Sequence, residues 1–370
     1  MTRPRTFTPH SVLVTGGAGF IGSNLVRWIL AHEPDVAVIN LDLLTYAGNL
    51  ENLADVHHRH GPGGDGRYYF IHGDIRDLET AARVLRGACP ESAAATGRTP
   101  PPVDAVAHLA AESHVDRSIM GPAQFVDTNV RGTLTLLEAC RAELLARDRP
   151  FRFLHVSTDE VYGSLGSADS AFTELSPVAP NSPYSASKAA SDLLVRAYVA
   201  TFGMPAIVTR CSNNYGPYQF PEKLIPLMIT RALADQPLPV YGDGMNVRDW
   251  VYVEDHAEAL WTLMTCGAHG AVYNIGGDNE VTNIQVVRGL LRVLGKPESL
   301  IQFVGDRPGH DRRYAMNIAR MRSDLGWAPR YDFERGLCET VEWYLSHRAW
   351  WERVLSEAYR AANALYLTRG

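Results

Sequence analysis

The chain has 370 residues, of which 46% are hydrophobic and 21% charged, the usage of a globular protein rather than of a disordered, collagen-like or coiled-coil one. Its 41 acidic and 35 basic residues leave a formal charge of −6, which argues against nucleic acid as a partner. No apolar run approaches the roughly 18–20 residues of a membrane span, so no membrane partner is expected, and residues 1–10 lack the apolar core of a secretory signal.

Short apolar runs alternate with helical patterns from residue 11 onward. Ser11–Thr15, 36–40, Tyr68–His72, 103–109 and 151–157 read as buried strands, and 206–210 as a sixth. Residues 21–32, 122–146 and 184–202 read as helices. Such alternation predicts an α/β fold, a Rossmann-type doubly wound parallel sheet with helices on both faces. Residues 59–67, with four glycines, and 87–102, which end in three prolines, read as surface excursions; the second is expected to be a mobile loop without chemistry. Beyond about residue 211 Pro and Gly punctuate the chain every few residues and the alternation breaks down. That texture predicts a smaller, discontinuous substrate-binding lobe of about 213–243 plus 273–370, beside a cofactor lobe of 1–212 plus about 244–272. A strand at 248–253 and the helix after it would return to the main sheet. The five cysteines (Cys89, Cys140, Cys211, Cys266, Cys338) are far apart and form no Cys-x-x-Cys pair. A reducing cytoplasm fits them better than a disulfide framework or a thiolate metal site.

Straight after the first strand comes Gly16-Gly17-Ala18-Gly19-Phe20-Ile21-Gly22, opening a helix. Closely spaced glycines at a strand-to-helix turn leave backbone N–H groups free to meet a pyrophosphate at the positive helix end. Asp42 ends the second strand, twenty residues after Gly22 (42 − 22), where a carboxylate accepts hydrogen bonds from adenosine ribose hydroxyls. Its charge repels a 2′-phosphate, and Leu43 and Leu44 offer no cation to hold one. The expected cofactor is NAD rather than NADP.

Two further groups carry chemistry. Tyr184 and Lys188 are four apart in a helix and share one face, so the ammonium can stand beside the phenol. An unperturbed tyrosine, near pKa ~10, is a poor base at neutral pH. A cation and the positive nicotinamide ring would push it toward working range. Thr158-Asp159-Glu160 follows the fifth strand, at the sheet rim where ligands of such folds bind. Two adjacent carboxyl groups can act as acid and base when their surroundings separate their pKa values. His114 has no second His spaced to share a metal, and hydride chemistry needs none; no metal site is expected.

The stretch from about residue 10 to 345 resembles the extended short-chain dehydrogenase/reductase family, and within it the dTDP-glucose 4,6-dehydratases. The motifs that carry the resemblance are GGAGFIGSN (16–24), LTYAGNL (44–50), HLAAESHVDRSI (108–119), HVSTDEVYG (155–163), YSASKA (184–189), RCSNNYGPYQFPEKLIPL (210–227), YGDG with VRDWVYVEDH (241–256) and RPGHDRRYA (307–315). The Tyr/Lys pair is shared by the superfamily, whereas Thr-Asp-Glu is more selective, since the similar sugar-nucleotide 4-epimerases lack paired acids there. The resemblance implies a hydro-lyase: Tyr184 takes the 4-hydroxyl proton as hydride passes to NAD, Glu160 removes the C5 proton, Asp159 protonates the departing C6 hydroxyl, Thr158 bonds the 4-oxygen, and hydride returns to C6. It also implies that Gly16, Gly19, Phe20, Ile21, Gly22, Asp42, Leu43, Leu44, Thr45, Asp74, Ile75, Leu109, Ala110, Ala111, Thr128, Tyr184, Lys188 and Asn214 line the cofactor. Ser113, Thr158, Asn213, Lys223, Leu224, Val240, Tyr241, Arg248, Asn283, Asp306, Arg307 and His310 would hold the nucleotide sugar, dTDP-glucose. Cations among them suit a diphosphate. By the same resemblance 122–146 and 184–202 would pair subunits of a homodimer through a four-helix interface. One departure is Leu43, where the family commonly has Lys.

Three alternatives stay open on sequence: a dehydratase for a UDP- or CDP-linked sugar, a nucleotide-sugar 4-epimerase, and a non-catalytic NAD-binding sensor.

Overall fold

The computed structural model describes residues 5–90, 92–93, 97–144, 149–306 and 310–356. Its strands, in chain order, are β1 (Ser11–Thr15), β2 (Ala37–Asp42), β3 (Tyr68–His72), β4 (Ala105–His108), β5 (Arg152–Thr158), β6 (Ala206–Cys211), β7 (Asn213–Tyr215), β8 (Leu238–Tyr241), β9 (Val247–Tyr252), β10 (Val272–Ile275), β11 (Glu280–Thr282) and β12 (Ile301–Val304). Seven of them form one parallel sheet in the order β10-β6-β5-β4-β1-β2-β3. β1, β4, β5 and β6 are buried along their whole length, which is why they read as continuous apolar runs rather than alternating ones. The helices Phe20–His32 and Val253–Cys266 close one face around Leu25, Ile29, Leu260 and Leu263. Leu78–Leu85, Thr133–Glu143 and Pro183–Phe202 close the other around Val84, Leu136, Phe153 and Val195. The chain runs outward in both directions from β1, so a crevice opens where β1 and β4 end, at the point where strand order reverses.

Two strands are longer than the apolar pattern announces, and both extensions reach functional residues. β2 stays paired with β3 to Asp42, opposite His72, and β5 stays paired with β6 to Thr158, opposite Cys211. Ladder hydrogen bonds therefore hold polar residues at the sheet's rim.

The single helix expected over 122–146 is broken. Helical turns at Pro122–Phe125 and Thr133–Glu143 flank a π-helical stretch, Val126–Gly132, and 145–146 lie outside the described residues. Asn129 explains the break. Its side chain bonds both backbone groups of Glu112 and the hydroxyl of Ser187, and its carbonyl accepts from Thr133 and Ser191. Widened turns of this kind occur often at functional sites.

The return to the main sheet expected at 248–253 occurs one element later. β9 joins a three-stranded sheet with β11 and β7, drawn there by Trp250 and Tyr252, whose rings pack on Tyr215. The helix Val253–Cys266 and β10 rejoin the seven-stranded sheet. A separate apolar cluster gathers Tyr215, Ile229, Trp250, Val287, Leu337 and Tyr344. The two expected excursions are tied down where described. Arg67 donates to the carbonyls of Leu30 and Glu33 at the end of helix Phe20–His32, and buried Leu85 and Val103 bracket 87–102, with Cys89 buried inside it; 91 and 94–96 lie outside the described residues.

Gly22 sits where backbone segments converge, and a Cβ there would lie 2.1 Å from the Gly16 carbonyl oxygen and 2.7 Å from Gly17 Cα. Gly22→Ala is expected to cost about 1–3 kcal/mol of stability, read as a lower urea midpoint at unchanged slope; an unshifted midpoint would contradict the packing described.

Candidate active site

A cleft of about 1100 Å³ runs across the carboxyl ends of β1, β2, β4, β5 and β6. Every residue that the sequence assigns to the cofactor lines it, from Gly16 to Asn214, as do the five assigned to catalysis.

The floor at one end is the glycine turn. Gly16 is left-handed, φ +72°, and a Cβ on it would lie 2.8 Å from Ala110 backbone atoms; on Gly17 it would lie 2.4 Å from the Asn40 side chain. No side chain caps the helix that starts after Gly19, so its first N–H groups face the cleft and offer the positive end of the helix dipole. Asp42 is buried and accepts from the N–H groups of Ala18 at 2.9 Å and Leu44 at 2.8 Å. Each carboxylate oxygen keeps a further lone pair for a ribose hydroxyl. Burial raises the Asp42 pKa, and the two N–H groups oppose that rise. Leu44 itself adopts a left-handed φ of 55°, a conformation its bond to Asp42 holds in place. These features fit NAD. Asp74, also in the cleft, is clamped by Arg76, whose Nε lies 2.9 Å from Oδ2 and whose guanidinium also bridges to Asp127.

The reacting groups stand at the other end. Thr158 ends β5 and caps the short 3-10 turn Asp159–Tyr162, accepting from the Glu160 N–H at 3.3 Å and donating to Asp159 Oδ1 at 3.2 Å. That cap aims the adjacent acids differently. Asp159 is buried and its Oδ2 has no hydrogen-bond partner among the described residues. Burial, then the charges of Glu160 and Asp249, raise its pKa well above the carboxylate range, with Arg248 and Thr158 opposing. Asp159 is thus the member of the pair whose surroundings favour the protonated form. Glu160 is only partly buried.

Tyr184 opens helix Pro183–Phe202, set by Pro183 and by a reciprocal cap between Ser182 and Ser185. The lowering expected for its phenol depends on the nicotinamide as well as on Lys188; in the chain alone burial and the Glu160 charge push the phenol up, with the Thr158 hydroxyl pulling the other way. Lys188 is buried too, and its Nζ donates to the Val156 carbonyl at 2.9 Å. Burial lowers its pKa to about 8 against the pull of Asp192.

Of the residues assigned to the sugar nucleotide, Ser113, Thr158, Asn213 and Lys223 line the cleft, and Lys223 Nζ bonds the Ser113 carbonyl at 3.3 Å. Leu224, Val240, Tyr241, Arg248, Asn283, Asp306 and His310 are not among its lining residues. Three of them gather elsewhere: Tyr241 meets His310 edge-on at 6.2 Å, and His310 Nδ1 lies 2.7 Å from Asp306 Oδ1. Arg248 bonds the Asp311 carbonyl at 2.9 Å and lies over the Tyr314 ring. Arg307 lies outside the described residues.

Two groups escaped sequence reasoning. Asp249 is buried, bonded by the N–H groups of Asn279 at 2.9 Å and Gly277 at 3.2 Å; burial lifts it to about 6, and its charge acts on Asp159. Tyr46, Arg117 and Glu222 form the second: the Arg117 guanidinium lies 3.8 Å over the Tyr46 ring and 3.7 Å from Glu222. His114 faces the same carboxylate at 3.7 Å.

Comparison with known proteins agrees with this geometry. The family described as GDP-mannose 4,6 dehydratase matches residues 13–340. The dTDP-glucose 4,6-dehydratase of Neisseria meningitidis serogroup B is 54% identical over 366 residues, which cover 95% of this chain and 98% of that protein. One from Xanthomonas campestris pv. campestris is 53% identical over 94% of this chain and 97% of its own length. The crystal structure of the dTDP-glucose 4,6-dehydratase DesIV of Streptomyces venezuelae, with NAD and TDP bound, superposes with a TM-score of 0.83 at 49% identity, covering 93% of this chain and 99% of that one.

If Asp159 is neutral, the infrared difference between wild type and Asp159→Asn at pH 7 contains the carbonyl stretch of a protonated carboxyl group. A carboxylate pair of bands in its place would show that burial does not hold the proton.

Proposed function

The chain belongs to the family of nucleotide-sugar 4,6-dehydratases, with dTDP-glucose 4,6-dehydratases as its relatives over nearly full length, and from that premise we propose how its cleft divides the work. The reaction is the dehydration of dTDP-glucose to the 4-keto-6-deoxy sugar nucleotide, a hydro-lyase reaction with NAD as cofactor. When bound, NAD accepts a hydride from C4, returns it at C6, and brings the positive nicotinamide ring whose field favours the phenolate.

The chain's own residues handle the protons. Tyr184 takes the proton of the 4-hydroxyl, and Thr158 hydrogen-bonds the same oxygen. Because burial and Glu160 oppose ionisation of Tyr184, the phenol gives up its proton only with positive charge nearby, which ties base strength to the loaded cofactor. The new 4-ketone acidifies C5–H, and Glu160, the less buried acid, removes that proton and returns one to C5 as hydride reaches C6. Asp159, kept neutral, donates to the C6 hydroxyl so that it leaves as water. The unequal burial of these two neighbouring carboxyl groups is the observation that carries this reading. Gly16 to Gly22 and Asp42 hold the pyrophosphate and the adenosine ribose, and Lys223 supplies a cation for the sugar nucleotide.

We place the enzyme in the cytoplasm as a homodimer. Val126, Leu134, Leu193 and Phe202 are exposed apolar residues on Val126–Gly132, Thr133–Glu143 and Pro183–Phe202, which supports pairing of these helices between subunits. No helix among the described residues is long and apolar enough to cross a membrane. We assign 1–212 with about 244–272 to the cofactor and about 213–243 with 273–370 to the sugar nucleotide.

The direct test is incubation with dTDP-glucose and detection of the alkali-induced chromophore of a 4-keto sugar. Conversion to the galactose epimer with no keto product would replace dehydratase with epimerase, and faster turnover of UDP- or CDP-glucose would change the nucleotide. Tyr184→Phe should slow single-turnover NAD reduction by about 10²–10⁴; NADH appearing at the normal rate would remove the base assignment. Glu160→Gln should leave that reduction near normal while solvent exchange at C5 falls by a similar factor, and undiminished exchange would move the C5 base to another residue.

A further inference from the structure

Under the face of Pro183–Phe202 that carries Tyr184 and Lys188 lies a charged group to which the chemistry above gives no task. Asp192 follows Lys188 by four residues, as Lys188 follows Tyr184, so the three share one helix face. Asp192 is fully buried, and its Oδ2 accepts from Arg210 Nε, on β6, at 2.9 Å. Arg210 is 2% exposed and lies 4.6 Å over the Tyr162 ring, whose hydroxyl donates to Asn274 at 2.7 Å. Asp192 Oδ1 faces His155 Nε2, on β5, at 3.4 Å, and the His155 ring leans on that of His108, on β4, with centroids 5.4 Å apart.

A buried ion pair contributes little to stability, because taking two charges out of water costs about as much as their attraction returns, and an apolar pair of similar volume would serve the core as well. The pair does, however, put a full negative charge one helical turn from Lys188. Among the described residues Asp192 does most to oppose the burial of that ammonium, and the Cys211 thiol adds less. Burial holds the His155 imidazole down at about 4 and His108 well below its ordinary range, so both are uncharged. The Cys211 thiol, on β6, is pushed up to about 12, and the Val156 carbonyl supplies only a dipole.

We propose that Asp192, anchored by Arg210, is a positioning residue that keeps Lys188 charged for Tyr184 and thereby sets the alkaline limit of the oxidation step. This inference rests on the roles given above to Tyr184 and Lys188. The sign is fixed by charge: without Asp192, the main opposition to burial is lost, the proton leaves the ammonium at lower pH, and the phenolate loses its cation sooner.

The test is the rate of NAD reduction in single turnover with dTDP-glucose, from about pH 6 to pH 10, for wild type, Asp192→Asn and the double variant Asp192→Asn/Arg210→Gln. The double variant leaves no lone guanidinium in the interior, so it guards against a folding failure of the single one. The alkaline limb should move down by about one pH unit or more in both, with dTDP-glucose affinity unchanged within about twofold, which a merely structural role would not produce. A folded variant whose limb coincides with that of wild type overturns the inference while leaving the function intact. Wild-type enzyme that reduces no NAD with this substrate overturns the function itself and takes the inference with it.

Discussion

Water is kept from one carboxyl group and admitted to its neighbour, and the chemistry of this protein depends on that difference. Asp159 and Glu160 are consecutive residues with similar intrinsic acidity that both line the cleft, yet one is buried and the other only partly so. A buried carboxyl holds its proton because its charged form is poorly solvated. Two further negative groups, Glu160 and Asp249, reinforce the effect. No added group is needed to make an acid and a base from one dipeptide.

The fold supplies the conditions for that asymmetry. β5 continues as a paired strand to Thr158, and the threonine cap then turns the chain so that Asp159 goes inward. The same sheet edge places the glycine turn after β1 and the acid at the end of β2, so cofactor and reacting sugar meet across strand ends rather than across loops. Polar side chains lock the parts together: Asn129 joins the π-helical stretch to Glu112 and Ser187, and Asp249 fastens Gly277 and Asn279 beneath the acid. Sites carried on strands and helices hold their geometry better than sites on free loops.

Much of this was legible in the sequence because it is local. The glycine turn, Asp42, the Thr-Asp-Glu run and the Tyr184/Lys188 pair are each contained in a few residues whose spacing carries a mechanism, and the strands that present them are continuous apolar runs. What the sequence hid is made by residues far apart in the chain. Asp249 meets Asp159 only because β9 folds alongside β7; Asp192 meets Arg210 only because a helix packs on β6. The π-helical break within 122–146 follows from Asn129 bonding to Glu112, which no periodicity announces. The upward push on Tyr184 in the chain alone was hidden for a related reason. Spacing puts a cation on the same helix face, but how deeply the phenol is buried depends on residues distant in the chain, Phe125 among them. Several of the sugar-nucleotide residues, Tyr241 and His310 included, do not line the main cleft.

The account stands on electrons leaving and re-entering one sugar within one cleft while the acid and the base act between those steps. Supplying dTDP-glucose deuterated at C4 tests this most directly. The label is expected at C6 of the keto product, with none left at C4 and no net change in the NAD to NADH ratio. Deuterium retained at C4, or released as free NADH, would contradict it.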